Sequence, residues 1–125
     1  MSKGLLISLI LASVAIAASA QILLKVGLSK PAVSEALASE DLLMIANSVF
    51  TNAWVLAGLV LYGLGALTWL GVLAKVDVTY AFPFVGIGFV LVLAAGWLFL
   101  GESVSPVRLV GTALVTLGVA LIAHS

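Results

Sequence analysis

Four long apolar runs, separated by short polar stretches, dominate the sequence. The runs cover residues 4–24, 54–74, 78–100 and 106–123. A helix needs about 20 apolar residues to cross the hydrocarbon core of a bilayer, and each run approaches or exceeds that length. Short links join the last three runs, and short links force neighbouring helices to be antiparallel. The pattern predicts an all-α membrane protein, with four transmembrane helices in an up-down bundle that forms a single domain over residues 1–125.

The longest stretch outside these runs covers residues 26–53. Ser39 precedes Glu40 and Asp41, an order typical of an N-cap followed by acidic residues in the first helical turn. Apolar residues then recur at helical spacing over residues 42–49. This pattern favours a short helix lying in the membrane interface, and a partly ordered connector is the alternative interpretation.

The N-terminus resembles a secretory signal, because Lys3 precedes an apolar run that contains Ala18-Ser19-Ala20. Cleavage at that site would leave a mature chain that begins at Gln21. The apolar run continues through Leu24, which favours a retained membrane span.

Composition excludes several classes of protein. The chain is 64% hydrophobic and 8% charged, with no net charge and no cysteine, whereas soluble domains are about 25% charged. Soluble enzymes and nucleic-acid-binding proteins are therefore excluded. The second class is also excluded because the chain has no excess of basic residues to bind a phosphate backbone. Disulfides and thiolate metal sites are excluded by the lack of cysteine.

The basic residues do not decide the orientation in the membrane. Lys3 and Lys75 belong to the same side as the C-terminus, and Lys25, Lys30 and Arg108 to the other. Both a chain that inserts in two orientations and a chain oriented by a partner remain open.

Acidic residues lie only in connections or at helix ends, so the sequence predicts no carboxylate in mid-membrane for proton coupling. It also contains no nucleophile–base set, metal-ligand spacing or phosphate-binding glycine loop. We expect no enzymatic activity, no cofactor and no metal.

Two polar residues share a face of the first span. Gln21 and Lys25 are four residues apart. In one interpretation, the amide and the ammonium group face a cavity near one interface. In the other, the lysine side chain extends to the lipid head groups and the glutamine amide hydrogen-bonds to a neighbouring helix.

The second and third spans contain further candidates. Tyr62 and Trp69 share a helical face with two glycines, and Tyr62 lies near mid-span, where its hydroxyl needs a partner. Tyr80 and Pro83 belong to the Tyr-Ala-Phe-Pro motif that opens the third span. Proline lacks an N–H, so this motif predicts either a broken helix at a transport site or a simple kink.

Several motifs are informative when read together. They are Ser13-Val14-Ala15 leading to Gln21 and Lys25, Tyr80-Ala81-Phe82-Pro83, Gly101-Glu102-Ser103-Val104-Ser105-Pro106-Val107-Arg108, and the helix with Gly111 and Gly118. They resemble the small multidrug resistance and EamA-like (drug/metabolite transporter) superfamily. Drug exporters of that superfamily carry a glutamate in the first helix, eight residues before the lysine, where this chain has Ala17.

The motifs are most similar to those of the four-helix subunits of undecaprenyl-phosphate-aminoarabinose flippases. The resemblance implies a bacterial inner-membrane flippase for a polyprenyl-phosphate-linked sugar or a similar anionic lipid head group. It implies membrane lipids and a lipid-linked anionic substrate as ligands, and a homodimer or a heterodimer with a similar subunit. The substrate-binding residues expected from the candidate positions above and from this resemblance are Gln21, Lys25, Tyr62, Trp69, Tyr80, Pro83, Glu102 and Arg108.

Two other functions remain open. One is a multidrug or cation exporter whose carboxylate has moved, for which Glu102 is the only candidate near a span; we expect Glu102 instead to cap a helix or to pair with Arg108. The other is a non-transporting assembly subunit, for which small-residue packing faces would be sufficient.

Overall fold

The computed structural model describes residues 2–125, which are helical over most of their length. Seven α-helices follow one another in this part of the chain. They are α1 (Lys3–Leu28), α2 (Pro31–Ser39), α3 (Leu42–Phe50), α4 (Ala53–Leu73), α5 (Val78–Ala81), α6 (Val85–Leu98) and α7 (Pro106–Ala123), with a 3₁₀ turn at Phe82–Phe84. Four helical stretches of residues 2–125 are long and apolar enough to cross a membrane: α1, α4, α7 and the stretch Val78–Leu98. The predicted fold class, an all-α multi-pass membrane protein with four spans, is confirmed.

The first span is longer than a bilayer core requires. α1 has 26 residues and is therefore about 39 Å long, against a core of about 30 Å. Ser2 caps its N-terminus by accepting a hydrogen bond from the backbone N–H of Leu5, at 3.2 Å. Lys25 lies in its last turn, so the ammonium group is placed at the interface.

Two short helices, rather than one, connect the first two spans. α2 begins at Pro31, where a missing N–H has no cost because a first-turn N–H has no partner within the helix. The prediction that Ser39 is the N-cap of the following helix is wrong, because the Ser39 hydroxyl donates to the carbonyl oxygen of Ala36 at 2.6 Å. The chain reverses at Glu40, whose φ is +57°. Asp41 is the cap of α3, and its carboxylate accepts the N–H of Leu43 at 3.1 Å.

Glycines bring α1 and α4 into close contact. A Cβ atom on Gly58 would lie 2.8 Å from Leu24 Cγ, and one on Gly65 would lie 3.1 Å from Ile16 Cγ2. Small residues at such positions let helix backbones approach one another in a membrane, where lipid offers no hydrophobic drive for association. The α1–α4 contact therefore depends on the absence of side chains at these two glycines.

The third span changes geometry at its proline. α5 ends at Ala81, the chain tightens into the 3₁₀ turn around Pro83, and α6 begins at Val85. Proline cannot donate the hydrogen bond of a regular helix, and a short 3₁₀ segment accommodates that loss. The span is therefore two helical pieces joined by a turn.

α1 occupies the middle of the bundle. It packs against α4 on one side and α6 on the other, and α7 packs against α6 and the 3₁₀ turn. A buried cluster joins these elements near the ends of α4 and α7. Its members are Ile10, Val14, Val72, Ala81, Phe84 and Val119.

Candidate functional site

A cavity of about 590 Å³ lies between α1, α4 and α6. α1 forms its floor, α4 forms one wall, and the stretch from the 3₁₀ turn into α6 forms the other. This volume is within the range typical of small-molecule sites. The lining residues are Ser13, Val14, Ala17, Ala18, Gln21, Tyr62, Gly65, Ala66, Trp69, Phe82, Val85, Gly88, Phe89 and Val92.

The cavity opens to the side of the bundle. Tyr62 on α4 and Phe89 on α6 line it and are 45% and 51% exposed. Both residues lie near the middle of their spans, at the depth where lipid acyl chains surround the protein. The cavity is therefore open to the surroundings of the chain between α4 and α6.

Three of the candidate residues from the sequence line this cavity. Gln21 projects from α1, and Tyr62 and Trp69 project from α4. Together they supply an amide, a phenolic hydroxyl and an indole N–H, which can donate to or accept from a polar ligand. A fourth polar residue, Ser13, is already engaged, because its buried hydroxyl donates to the carbonyl oxygen of Gly65 at 3.0 Å.

The lining is electrically neutral. All fourteen lining residues lie in the described part of the chain, and none is charged at neutral pH. Ala17 faces the cavity from α1. The polar interactions that the lining offers are therefore hydrogen bonds from neutral groups.

Lys25 lies one helical turn beyond Gln21, towards the end of α1, and is exposed outside the lining. Because α1 and α7 are separated by two further spans in an alternating bundle, α7 begins at the end of the bundle where α1 ends. Arg108, in the first turn of α7, therefore lies at the same end as Lys25. Lys25 and Arg108 therefore share one end of the bundle, where Lys30 also lies after the end of α1.

Glu102 and Arg108 have different partners in the connection between α6 and α7. The Glu102 N–H donates to the carbonyl oxygen of Gly96 at 3.0 Å. Its carboxylate folds back over α6, with Oε1 only 2.7 Å from the position of a Cβ on Gly96. The Arg108 guanidinium donates to the carbonyl oxygen of Ser103 at 3.4 Å. The carboxylate of Glu102 therefore lies at the end of α6, outside the cavity lining.

Tyr80 and Pro83 lie beside the cavity lining rather than in it. The Tyr80 hydroxyl donates to the carbonyl oxygen of Ala123 at 3.4 Å, which ties α5 to the end of α7. Its ring packs against Phe84 with centroids 5.5 Å apart. Pro83 stands between the buried Phe84 and Phe82, which does line the cavity.

The sequence did not predict the aromatic wall opposite Tyr62. Phe82 and Phe89 line that wall together with Val85 and Val92. Their spacing of three, four and three residues is the signal that was available, because it places all four on one helical face. In a span that is apolar on every face, this spacing does not by itself distinguish a cavity wall from a lipid-facing surface.

Among residues 2–125, no group of three His, Cys, Asp or Glu side chains is placed to hold a metal ion.

Comparison with models of protein families shows which family the chain belongs to. Residues 42–124, more than half of the sequence, match the model of the EamA-like transporter family. The chain belongs to the EamA-like transporter family. The matched segment contains α4, the 3₁₀ turn, α6 and α7, and so includes both walls of the cavity. No solved structure matches the chain.

Similar curated proteins are named as subunits of a flippase. The chain is 39% identical over 68 residues to the probable 4-amino-4-deoxy-L-arabinose-phosphoundecaprenol flippase subunit ArnE of Pseudomonas savastanoi, covering 54% of this chain and 60% of that protein. ArnE proteins of Pseudomonas aeruginosa and Klebsiella pneumoniae are 38% and 33% identical over 74 and 72 residues, covering 59% and 58% of this chain and 64% of each relative. The chain thus matches less than two thirds of the length of these relatives.

Proposed function

We propose that this protein is a flippase that moves a polyprenyl-phosphate-linked sugar, or a similar anionic lipid head group, across the bacterial inner membrane. The activity is transport without covalent change of the substrate. The EamA-like family membership and the names of the ArnE relatives support it.

The sideways opening of the cavity is the observation that carries the proposal. A lipid flippase has to shelter only the polar head group, because the hydrocarbon tail is stable in the membrane. A cavity that is polar at Gln21 and Tyr62 and open to the hydrocarbon core between α4 and α6 fits both parts of such a molecule. A water-soluble substrate would have no need of this opening.

Two basic residues at one end of the bundle, Lys25 and Arg108, supply partners for a phosphate. An isolated phosphate in hydrocarbon is prohibitively costly. Lys25 and Arg108 are both exposed at the interface. Arginine suits bidentate contact with phosphate oxygens, and lysine suits contact as a point charge. We assign them to hold the phosphate while the sugar enters the cavity.

The neutral lining is assigned to the sugar. Gln21, Tyr62 and Trp69 can hydrogen-bond hydroxyl groups, and the aromatic rings can pack against the apolar face of a sugar ring. Tyr80 and Pro83 belong to the turn that positions Phe82 in the lining, and we assign them to hold that turn. Glu102 is assigned to hold the connection that positions Arg108.

We assign the protein a second four-helix subunit as its partner, identical or similar. A Cβ on Gly111 or Gly118 of α7 would meet no heavy atom within 4 Å, so no other helix of the chain packs closely against these glycines. Small residues of this kind allow a helix of another subunit to approach closely. Two-fold pairing is the simplest arrangement, and transport would follow from movement of the two bundles about the 3₁₀ turns.

The phosphate assignment is tested with Lys25→Ala and Arg108→Ala in reconstituted vesicles. Each change removes a charge-assisted contact, which contributes about 1.5–3 kcal/mol. We expect the flipping rate at subsaturating substrate to fall about tenfold or more for each variant. The rate is measured with radiolabelled polyprenyl-phosphate sugar, whose outward-facing fraction is oxidised by periodate added outside.

Lys75→Ala is the matched control, because Lys75 is an exposed lysine at the opposite end of the bundle. It should leave the rate close to that of the wild type. Equal rates for all three variants and the wild type would remove Lys25 and Arg108 from the substrate site.

A further inference from the structure

α3 presents its largest apolar side chains away from the protein. Leu42 and Leu43 are 80% and 83% exposed, and Phe50 is 61% exposed. The side of α3 that packs inward carries Ile45, Ser48 and Val49, which are only half-buried. A helix on a water-exposed surface has the opposite arrangement, with its apolar stripe inward.

Almost all side chains on the outward face of α3 are apolar. Leu43, Ala46 and Phe50 follow one another at helical spacing, and Leu42 lies beside them. Asn47 is the polar residue at the edge of this face. An exposed apolar surface of this kind marks an interaction site.

The position of α3 along the chain identifies what covers this face. α3 ends at Phe50, and Asn52 caps α4, a membrane span, by accepting the N–H groups of Trp54 and Val55 at 3.0 and 3.1 Å. Lys30 Nζ lies 5.5 Å from the centroid of the Trp54 ring, and a lysine beside a tryptophan at a span end is typical of the membrane–water interface. α3 is therefore held within two residues of the level at which α4 enters the bilayer.

We propose that α3 lies in the membrane interface with Leu42, Leu43 and Phe50 inserted among the lipid acyl chains. The partner of this face is the lipid surface that surrounds the adjacent spans. α3 itself contains no basic residue, and Glu40 and Asp41 stand at its start, so we expect its insertion to depend on burial of apolar area more than on attraction of α3 to anionic lipids. This anchor holds the α2–α3 connection flat against the bilayer at the end of the bundle that carries Lys25.

The absence of cysteine from the sequence allows a direct test, because a single introduced cysteine can be labelled without background. A fluorescent nitrobenzoxadiazole label is placed at Leu43→Cys, on the outward face of α3. The matched control is Glu35→Cys on α2, which is also exposed but polar, and the mid-membrane reference is Leu64→Cys, an exposed position on α4. All three positions are exposed, so labelling disturbs no packing.

The full chain is reconstituted in phosphatidylcholine vesicles, with and without lipids brominated near the head of the acyl chain. We expect brominated lipid to quench the label at residue 43 several-fold more than the label at residue 35. Iodide added to the water should quench the two labels in the reverse order. Replacing part of the phosphatidylcholine by phosphatidylglycerol should leave both results unchanged.

Two outcomes would overturn this proposal. Equal iodide quenching at residues 43 and 35 would mean that α3 faces water. Shielding of residue 43 from iodide without quenching by brominated lipid would mean that another protein surface, such as a second copy of the chain, covers the face. The experiment contains no transport substrate, so its result is independent of the flippase proposal.

Discussion

Replacing Gly58 by valine is expected to lower the free energy of unfolding by about 1–3 kcal/mol, the usual cost of forcing extra atoms into a packed contact. A Cβ at this position would lie 2.8 Å from Leu24 Cγ and 3.1 Å from the Leu24 backbone nitrogen. The leucine side chain can move, but the backbone of α1 cannot move without separating α1 from α4. Because α1 is also the floor of the cavity, we expect this variant to lose transport together with stability.

Gly63→Val is the matched control for that change. Gly63 lies on the same helix, and a Cβ there would meet no heavy atom within 4 Å. Unfolding of both variants in mixed detergent micelles, followed by circular dichroism, gives the comparison. Equal stability of the two variants would contradict the assignment of Gly58 to the α1–α4 contact.

Replacing Ala17 by phenylalanine is expected to reduce flipping at least tenfold while the bundle remains folded. Ala17 lies on the floor of the cavity, between the walls that carry Tyr62 and Phe89. A ring at this position occupies space that the head group requires. A tenfold loss corresponds to about 1.4 kcal/mol in the barrier to crossing. The measurement is the periodate assay in vesicles, with thermal unfolding of each variant recorded in parallel.

Ala15→Phe controls for the added ring. Ala15 is an exposed residue of the same helix, two positions away, and lies outside the cavity lining. It should flip lipid at close to the wild-type rate. If Ala17→Phe flips as fast as Ala15→Phe at equal stability, the cavity is not the route of the head group.

Hydropathy was sufficient to predict the four spans because the bilayer imposes a minimum length on each apolar run. Short connections then determined that neighbouring spans are antiparallel. The identity of the short helices before α4 was harder to predict. Ser39 and Asp41 are both good N-cap residues, and the left-handed conformation of Glu40 determines which one begins α3.

The cavity could be predicted only in part. Gln21, Tyr62 and Trp69 were identifiable because polar and amphipathic side chains are uncommon within membrane spans. Phe89 was not identifiable, because a span that is apolar all round does not reveal which face points inward. Tyr80 illustrates the same difficulty, since its hydroxyl is turned to the carbonyl oxygen of Ala123 by the tertiary packing of α7.

We propose that this chain moves a polyprenyl-phosphate-linked sugar across a membrane, and transport by the wild-type protein in vesicles tests this function most directly. Radiolabelled lipid is placed in both leaflets, and periodate is added outside. With protein, we expect the protected inner fraction to be consumed within the assay, whereas protein-free vesicles should keep it. The contradicting result is a protected fraction that persists although the vesicles contain correctly folded protein. It must persist both with this chain alone and with this chain together with a similar four-helix subunit.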